Sequence, residues 1–296
     1  MADISKRVKN TQKPPDEQLA EKPPFPKSLK IEITSRCDLK CYFCTLTYKE
    51  RGKGDIDRDL LFKIIREAKD LGVKDLGLFW LGEPLLVPQL PEYVAYGKKI
   101  GIPYVFITTN GRMATRERIA PLIDSGIDSI KFSFNAVTRD EYKKVTGVDA
   151  FERVLANIAS THEVRGDRKK PSLYASTVFD PNNAAKFDRA VELIRPYVDE
   201  HYRLRQYGIQ EGNTSEVRTL QEMLPCWSLF SIPHISYQGH ISACYCDHES
   251  KFFMGDLNKM SLLEAWHSDA FVKLRRRHLA KDVSGTPCAD CTAYSH

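Results

Sequence analysis

Cys37, Cys41 and Cys44 fall within "SRCDLKCYFC", spaced by three and then two residues. Three thiolates at that spacing can wrap one corner of a cubane iron–sulfur cluster, holding three of its irons and leaving the fourth without a protein ligand. A structural zinc ion asks instead for four closed ligands, usually from paired two-residue spacings, and the triplet supplies neither. A second set lies far downstream. Cys226 and Cys244 are followed by the pair Cys288 and Cys291. Four thiolates suit a complete [4Fe–4S] cluster or a zinc ion equally well by count. Gly239 permits a tight hairpin that brings Cys244 back towards Cys226. Cys246, in "ISACYCDH", is left over. One reading makes it a small buried residue, or a ligand in place of Cys244. The other is chemical: an S–H bond is weaker than a carbinol C–H bond, so a thiol can hand a hydrogen atom to a carbon radical.

The chain that carries these thiols has an ordinary globular composition, 42% apolar and 28% charged. No apolar run approaches the roughly 20 residues of a membrane span, and the N-terminus lacks the apolar core of a secretion signal. The expected location is cytoplasmic, where cysteines read as metal ligands or catalytic groups rather than disulfides. The net charge of +5 is mild. Residues 1–30 carry +3 of it, and 1–27 form a polar, proline-bearing arm expected to be flexible. The basic run Lys273, Arg275, Arg276 and Arg277 falls on a predicted helix and reads as its solvent face. Neither feature supports a nucleic-acid partner, and no membrane partner is expected.

Alternating segments must position the first cysteine set. "LKIEIT" (29–34) has the period of a strand and runs directly into Cys37. "DRDLLFKIIREAKDLG" (57–72) puts Leu60, Leu61, Ile64, Ile65 and Ala68 on one helical face, with Asp57 as its cap. Further strands are predicted at 75–80, 103–108, 128–134, 172–179 and 201–207, with helices between them. Alternation of this kind argues for parallel strands and right-handed crossovers. The segment 28–210 is shorter than the about 250 residues of a complete eight-unit barrel. The fold class is therefore α/β, a partial (β/α)6 TIM barrel. Past 210 the pattern changes to a hairpin turning at Gln238-Gly239 and a helix over 261–280. This makes 211–296 a small α+β domain.

With these motifs in place, the chain resembles the radical S-adenosylmethionine (radical SAM) enzymes. The cysteine spacing, its position after the first strand and Phe43 before the third cysteine all match. "LGEP" (81–84) resembles the Gly-Gly-Glu-Pro motif, with Leu81 in place of the first glycine. The resemblance puts Gly82, Glu83 and Pro84 at the methionyl amine of S-adenosylmethionine. Glu83 or neighbouring backbone oxygens suit that cation. "TTNG" supplies Thr109 and Asn110, and "KFSFNA" supplies Ser133, matching a ribose-contacting serine, and Asn135. "TVFDPNN" offers Asn182 or Asn183. Many relatives carry an arginine for the cofactor carboxylate in the stretch matching "YKKVTG". This chain has Thr146 there, which leaves Lys143, Lys144 or an arginine elsewhere as alternatives.

The downstream set, with "PCW", glycine-x4-cysteine and "MGDL…SLLEAW…LR", resembles the auxiliary-cluster domain of such enzymes in its short Twitch form. The longer form is called SPASM. The resemblance implies two [4Fe–4S] clusters, one binding S-adenosylmethionine through Cys37, Cys41 and Cys44, one auxiliary on Cys226, Cys244, Cys288 and Cys291. It also implies a one-electron reductant such as flavodoxin or ferredoxin. Cys246 beside an auxiliary ligand resembles the neomycin epimerase type, where a cysteine donates hydrogen. The expected reaction is epimerisation of a sugar or aminocyclitol. A two-electron carbinol dehydrogenation of the inosamine type is the second expectation. Modification of a ribosomal peptide is less expected, because the arm before residue 28 is short for a peptide-binding domain. A zinc-binding interaction protein is the non-enzyme alternative. Arg203, Arg205, Gln206 and Tyr207 on the sixth strand, with His240, Asp247 and His248 around the cysteine pair, are further candidates for substrate contact.

Overall fold

The computed structural model describes residues 14–44, 46, 52–178, 184–204, 224–244, 247, 252–289 and 291. Cys246, Asn182, Asn183, residues 205–207 and His248 lie outside the described residues. In chain order the strands are β1 (Ser28–Ile31), β2 (Asp75–Gly77), β3 (Tyr104–Thr109), β4 (Ser129–Ser133), β5 (Ser172–Val178), β6 (Glu200–Leu204), β7 (His234–Ile235), β8 (His240–Ser242) and β9 (Phe253–Asp256). The helices are α1 (Arg58–Asp70), α2 (Leu90–Lys99), α3 (Arg116–Asp124), α4 (Arg139–Thr146), α5 (Phe151–Arg165), α6 (Ala184–Ile194), α7 (Ser228–Ser231), α8 (Leu262–Trp266) and α9 (Asp269–Leu279). Among the described residues no helix is long and apolar enough to cross a membrane.

By contact the chain forms two compact units, one from 33–55 and 77–206, the other from 1–32, 56–76 and 207–296. This division does not follow chain order. β1 pairs in parallel with β7, Lys30 opposite His234 and Ile31 opposite Ile235, so the first strand goes with the C-terminal segment.

In the unit built on 77–206, β3, β4, β5 and β6 lie side by side and parallel. In-register residues share a face. Ile107, Ile130, Leu173 and Ala175 are fully buried on one face. His201 and Arg203 on β6 both meet Phe187 of α6 there, at 5.1 and 4.7 Å. Arg203, a candidate for substrate contact, therefore faces a helix. The opposite face carries Thr108, Lys131, Ser133, Tyr174, Ser176 and Tyr202, mostly hydroxyl-bearing.

In the other unit, α1 forms where the sequence places it. The Asp57 carboxylate accepts the Leu60 N–H at 2.9 Å, and Leu61, Ile64, Ile65 and Ala68 are fully buried. Leu61, Ile64 and Ile65 each contribute about 1.5–3 kcal/mol on burial, and Ala68 less. β7 and β8 form the expected hairpin, with Gly239 at φ +83. The helix expected over 261–280 is two helices. Ser268 breaks it by accepting the Phe271 N–H and capping α9. Arg275 is not on a solvent face. It is fully buried, with its guanidinium 3.8 Å from the Trp266 ring centre and 4.4 Å from that of Phe271. A guanidinium is weakly hydrated and stacks on aromatic faces, so a charge run at helical spacing can still turn one member inwards.

Candidate active site

The loop that carries Cys37, Cys41 and Cys44 is fixed at both sides. At its base Thr34 bridges Asp55, and the Ser35 hydroxyl donates to the Gly52 carbonyl and accepts the Gly54 N–H at 2.9 Å. On the other side the Lys40 and Tyr42 N–H groups donate to the Thr146 and Val145 carbonyls at the end of α4, at 2.9 and 3.1 Å. The Cys44 N–H closes a turn on the Cys41 carbonyl at 2.9 Å. The three thiols lie within electrostatic reach of one another. Burial, and then the neighbouring thiols Cys44 and Cys37, push the Cys41 thiol up to about 12. Burial likewise holds Cys37 at about 12. Such thiols stay protonated until a metal takes them as thiolates.

Thr146 is part of that support. It is buried, and its hydroxyl donates to the Tyr142 carbonyl at 2.8 Å. Its backbone carbonyl, which accepts the Lys40 N–H, helps hold the cysteine loop.

The segment after β2 packs directly on the start of the loop. Glu83 N–H donates to the Arg36 carbonyl at 2.8 Å. A β-carbon at Gly82 would lie 2.1 Å from the Thr34 carbonyl oxygen and 2.8 Å from that of Arg36, so only glycine fits. Glu83 is 2% exposed. Its carboxylate accepts from the Leu85 N–H (3.0 Å), the Thr109 hydroxyl (2.7 Å) and the Asn110 N–H (2.7 Å). Burial raises its pKa to about 7 despite those donors. Glu83 and Thr109, both expected at the cofactor, thus tie the loop after β2 to the end of β3. Pro84 starts the short turn that follows.

Asn110 reaches the cysteines. Its Nδ2 donates to Asp38 Oδ1 at 2.8 Å and lies 3.8 Å from Cys37 Sγ. Arg112 pairs with the other Asp38 oxygen at 2.8 Å. The sequence reading missed Asp38 and Arg112. Their only signal was adjacency, one beside Cys37 and one just after "TTNG". Ser133 stands at the end of β4. Asn135 Oδ1 accepts the Val178 N–H at 3.0 Å, which joins the ends of β4 and β5.

In the other unit, Cys226, Cys244 and Cys291 all act on the Cys288 thiol. With burial as the larger cause, they push it up to about 12. His278 is 1% exposed and lies between two of these residues. Its Nδ1 accepts the Cys226 N–H at 3.2 Å, and its Nε2 lies 3.3 Å from Cys288 Sγ. Burial lowers its pKa to about 4, so the ring is neutral. With Nδ1 accepting, the proton is assigned to Nε2, which donates to sulfur. Asp247, a candidate for substrate contact, is buried and accepts from the Ser242 hydroxyl at 2.9 Å and the Phe252 N–H at 2.9 Å. His240 packs edge-on against Phe253.

Residues 31–194 match the radical SAM superfamily. The chain belongs to that superfamily. Residues 226–292 match the SPASM iron-sulfur cluster-binding domain. Among solved structures, Streptococcus suis SuiB bound to S-adenosylmethionine superposes with a TM-score of 0.71 at 17% identity, covering 92% of this chain and 72% of that one. BtrN in complex with AdoMet and 2-DOIA superposes with a TM-score of 0.59 at 19% identity, covering 86% of this chain and 87% of that one. Among curated proteins, a probable GTP 3′,8-cyclase of Saccharolobus solfataricus is 35% identical over 136 residues, 46% of this chain and 44% of that protein. The chain thus spans less than half the length of the curated relatives it matches.

The fold is the expected one, a partial radical SAM barrel with a C-terminal domain of antiparallel strands. This radical SAM enzyme uses S-adenosylmethionine, a [4Fe–4S] cluster and auxiliary iron–sulfur chemistry, and the zinc-binding interaction protein is set aside. The residue types fit the first cluster, with three thiols in electrostatic reach of one another, a side-chain amide directed at Cys37 and a glycine contact that holds the loop, while among the described residues no three His, Cys, Asp or Glu side chains are gathered closely enough to hold a single metal ion. When bound, cluster and cofactor supply one-electron cleavage to a hydrogen-abstracting carbon radical, while the protein binds and orients.

At the auxiliary site, an N–H directed at a ligand sulfur stabilises the reduced, more negative cluster. Replacing His278 with Leu removes that donor. The expected result is a lower reduction potential for the auxiliary cluster, with the other cluster unchanged, measured by redox titration with electron paramagnetic resonance. Two unchanged potentials would mean that His278 serves only packing.

Proposed function

We propose that this radical SAM enzyme abstracts hydrogen from a carbon of a sugar or aminocyclitol and returns hydrogen from Cys246, giving the epimer. The observation that supports this reading is the four-thiol convergence at Cys288. Cys226, Cys244 and Cys291 all act electrostatically on Cys288, and on this reading these four are the auxiliary ligands and Cys246 is spare. On this reading the C–H bond breaks homolytically to the adenosyl carbon. The Cys246 S–H then delivers its hydrogen atom to the opposite face of the substrate carbon. The resulting thiyl takes one electron and one proton to reset. The electron comes through the auxiliary cluster from an external reductant such as flavodoxin or ferredoxin.

A thiol hydrogen exchanges with water. Turnover in deuterium oxide is expected to place one deuterium at the inverted carbon, with the original hydrogen in 5′-deoxyadenosine. Cys246→Ala is expected to abstract hydrogen yet lose inversion. Mass spectrometry of both products is the measurement. Normal inversion by Cys246→Ala would remove the thiol from the mechanism. A wild-type product short of two hydrogens would favour carbinol dehydrogenation instead, with the hydroxyl proton going to a base and the electron to the auxiliary cluster. A peptide substrate and the cyclisation named for the curated relatives are the other outcomes that product analysis distinguishes.

A further inference from the structure

On the sheet of the 77–206 unit, one row of in-register residues on the face away from α6 reads Thr108, Lys131, Tyr174. The next row towards the strand ends reads Ser133, Ser176, Tyr202. Lys131 leans diagonally between the rows, its ammonium 5.6 Å from the centre of the Tyr202 ring. Among the described residues no carboxylate pairs with it. Glu200 lies on the same face beside Tyr174, yet burial alone acts on the lysine, lowering its pKa to about 8. Two hydroxyl oxygens on this face are buried without a hydrogen-bond partner, Thr108 Oγ1 in register with Lys131 and Ser176 Oγ one row on towards the strand ends, and Ser176 is 0% exposed. Lys131 is half-buried, and a partly desolvated cation and unpaired polar oxygens are each costly in an empty site. An anionic group would offset both, because it takes charge from the ammonium and accepts both O–H donors.

We infer that Lys131, with Thr108 and Ser176, forms a subsite for an acidic group of a small substrate, a carboxylate or a phosphate. Strands rise about 3.3 Å per residue, so Lys131 and Thr108 lie about 7 Å along the strands from the row that holds Ser133 and Ser176, and the subsite runs from that row inwards. The identification of the ligand as substrate rests on the proposed hydrogen abstraction from a small molecule. The anion site itself rests only on the geometry.

The test separates the two. The holoenzyme is acetylated at lysines with a water-soluble reagent, and modification of Lys131 is followed by mass spectrometry. The probes are inorganic phosphate and malonate, one for each source of negative charge, with glycerol as the neutral control. Phosphate, malonate or both are expected to protect Lys131 at millimolar concentration while surface lysines react as before. Whichever protects more names the source. Equal reactivity with every probe, or equal protection by glycerol, overturns the site, whatever the fate of the epimerase reading.

Lys131→Met is then compared with wild type for stimulation of 5′-deoxyadenosine formation by an extract of the cells that make the protein. The extract is split on an anion exchanger into retained and unretained small molecules. The retained fraction is expected to stimulate wild type, and Lys131→Met is expected to need roughly tenfold more of it, with partial rescue by Lys131→Arg. Stimulation by the unretained fraction alone overturns the inference. So does a Lys131→Met enzyme with unchanged half-saturation and a lower rate, which makes the lysine a base. Loss of S-adenosylmethionine affinity in Lys131→Met also overturns it, since that places the lysine at the cofactor.

Discussion

Changing Cys37, Cys41 and Cys44 together to Ala is expected to abolish reductive cleavage of S-adenosylmethionine. The cluster iron that meets the cofactor has no protein ligand, and these thiols would hold the other three irons. The second ligand set lies in a different compact unit, so its cluster is expected to survive and about half of the iron to remain. Anaerobic iron analysis and 5′-deoxyadenosine formation measure the two effects separately. Retained cleavage would remove this loop from the chemistry. Loss of all iron would show instead that the two ligand sets fold as one.

Gly82→Ala is expected to do nearly as much damage without touching a ligand. The added methyl would sit 2.1 Å from the Thr34 carbonyl oxygen. Backbone cannot yield there cheaply. Thr34 is bridged to Asp55, and Glu83 is held both to Arg36 and to the end of β3. Overpacking of this kind costs about 1–3 kcal/mol, more where backbone must move. The cost falls on the loop that presents Cys37. The expected result is loss of iron from the first site and weaker S-adenosylmethionine binding, with the auxiliary cluster retained. A Gly82→Ala enzyme with full iron and wild-type affinity would show that this contact is not needed to hold the site.

Cysteine spacing is chemistry written along the chain. The first cysteine triplet, the helix capped by Asp57 and the hairpin at Gly239 were legible in the sequence because each depends on neighbours a few residues apart, whereas the second cysteine set was read from a resemblance. Gly82 was legible as a motif residue, but its reason was not, since the carbonyl it meets belongs to Thr34. Glu83 read as a contact for a cation. Only the fold shows its carboxylate already committed to three donors from the segment after β2 and the end of β3. Arg275 sat in a run of like charges and still turned inwards, because the aromatic rings that receive it come from Trp266 and Phe271. The N–H of His278 towards Cys288 depends on a proton assignment fixed by the Cys226 backbone, 52 residues away. Lys131 is one residue in an alternating strand until register sets it beside Thr108 and within reach of Tyr202. Local spacing pointed to the candidate metal ligands and to where α1 begins. Tertiary structure decided the surroundings of each charged group, because burial and partnership are set by segments that the sequence keeps far apart.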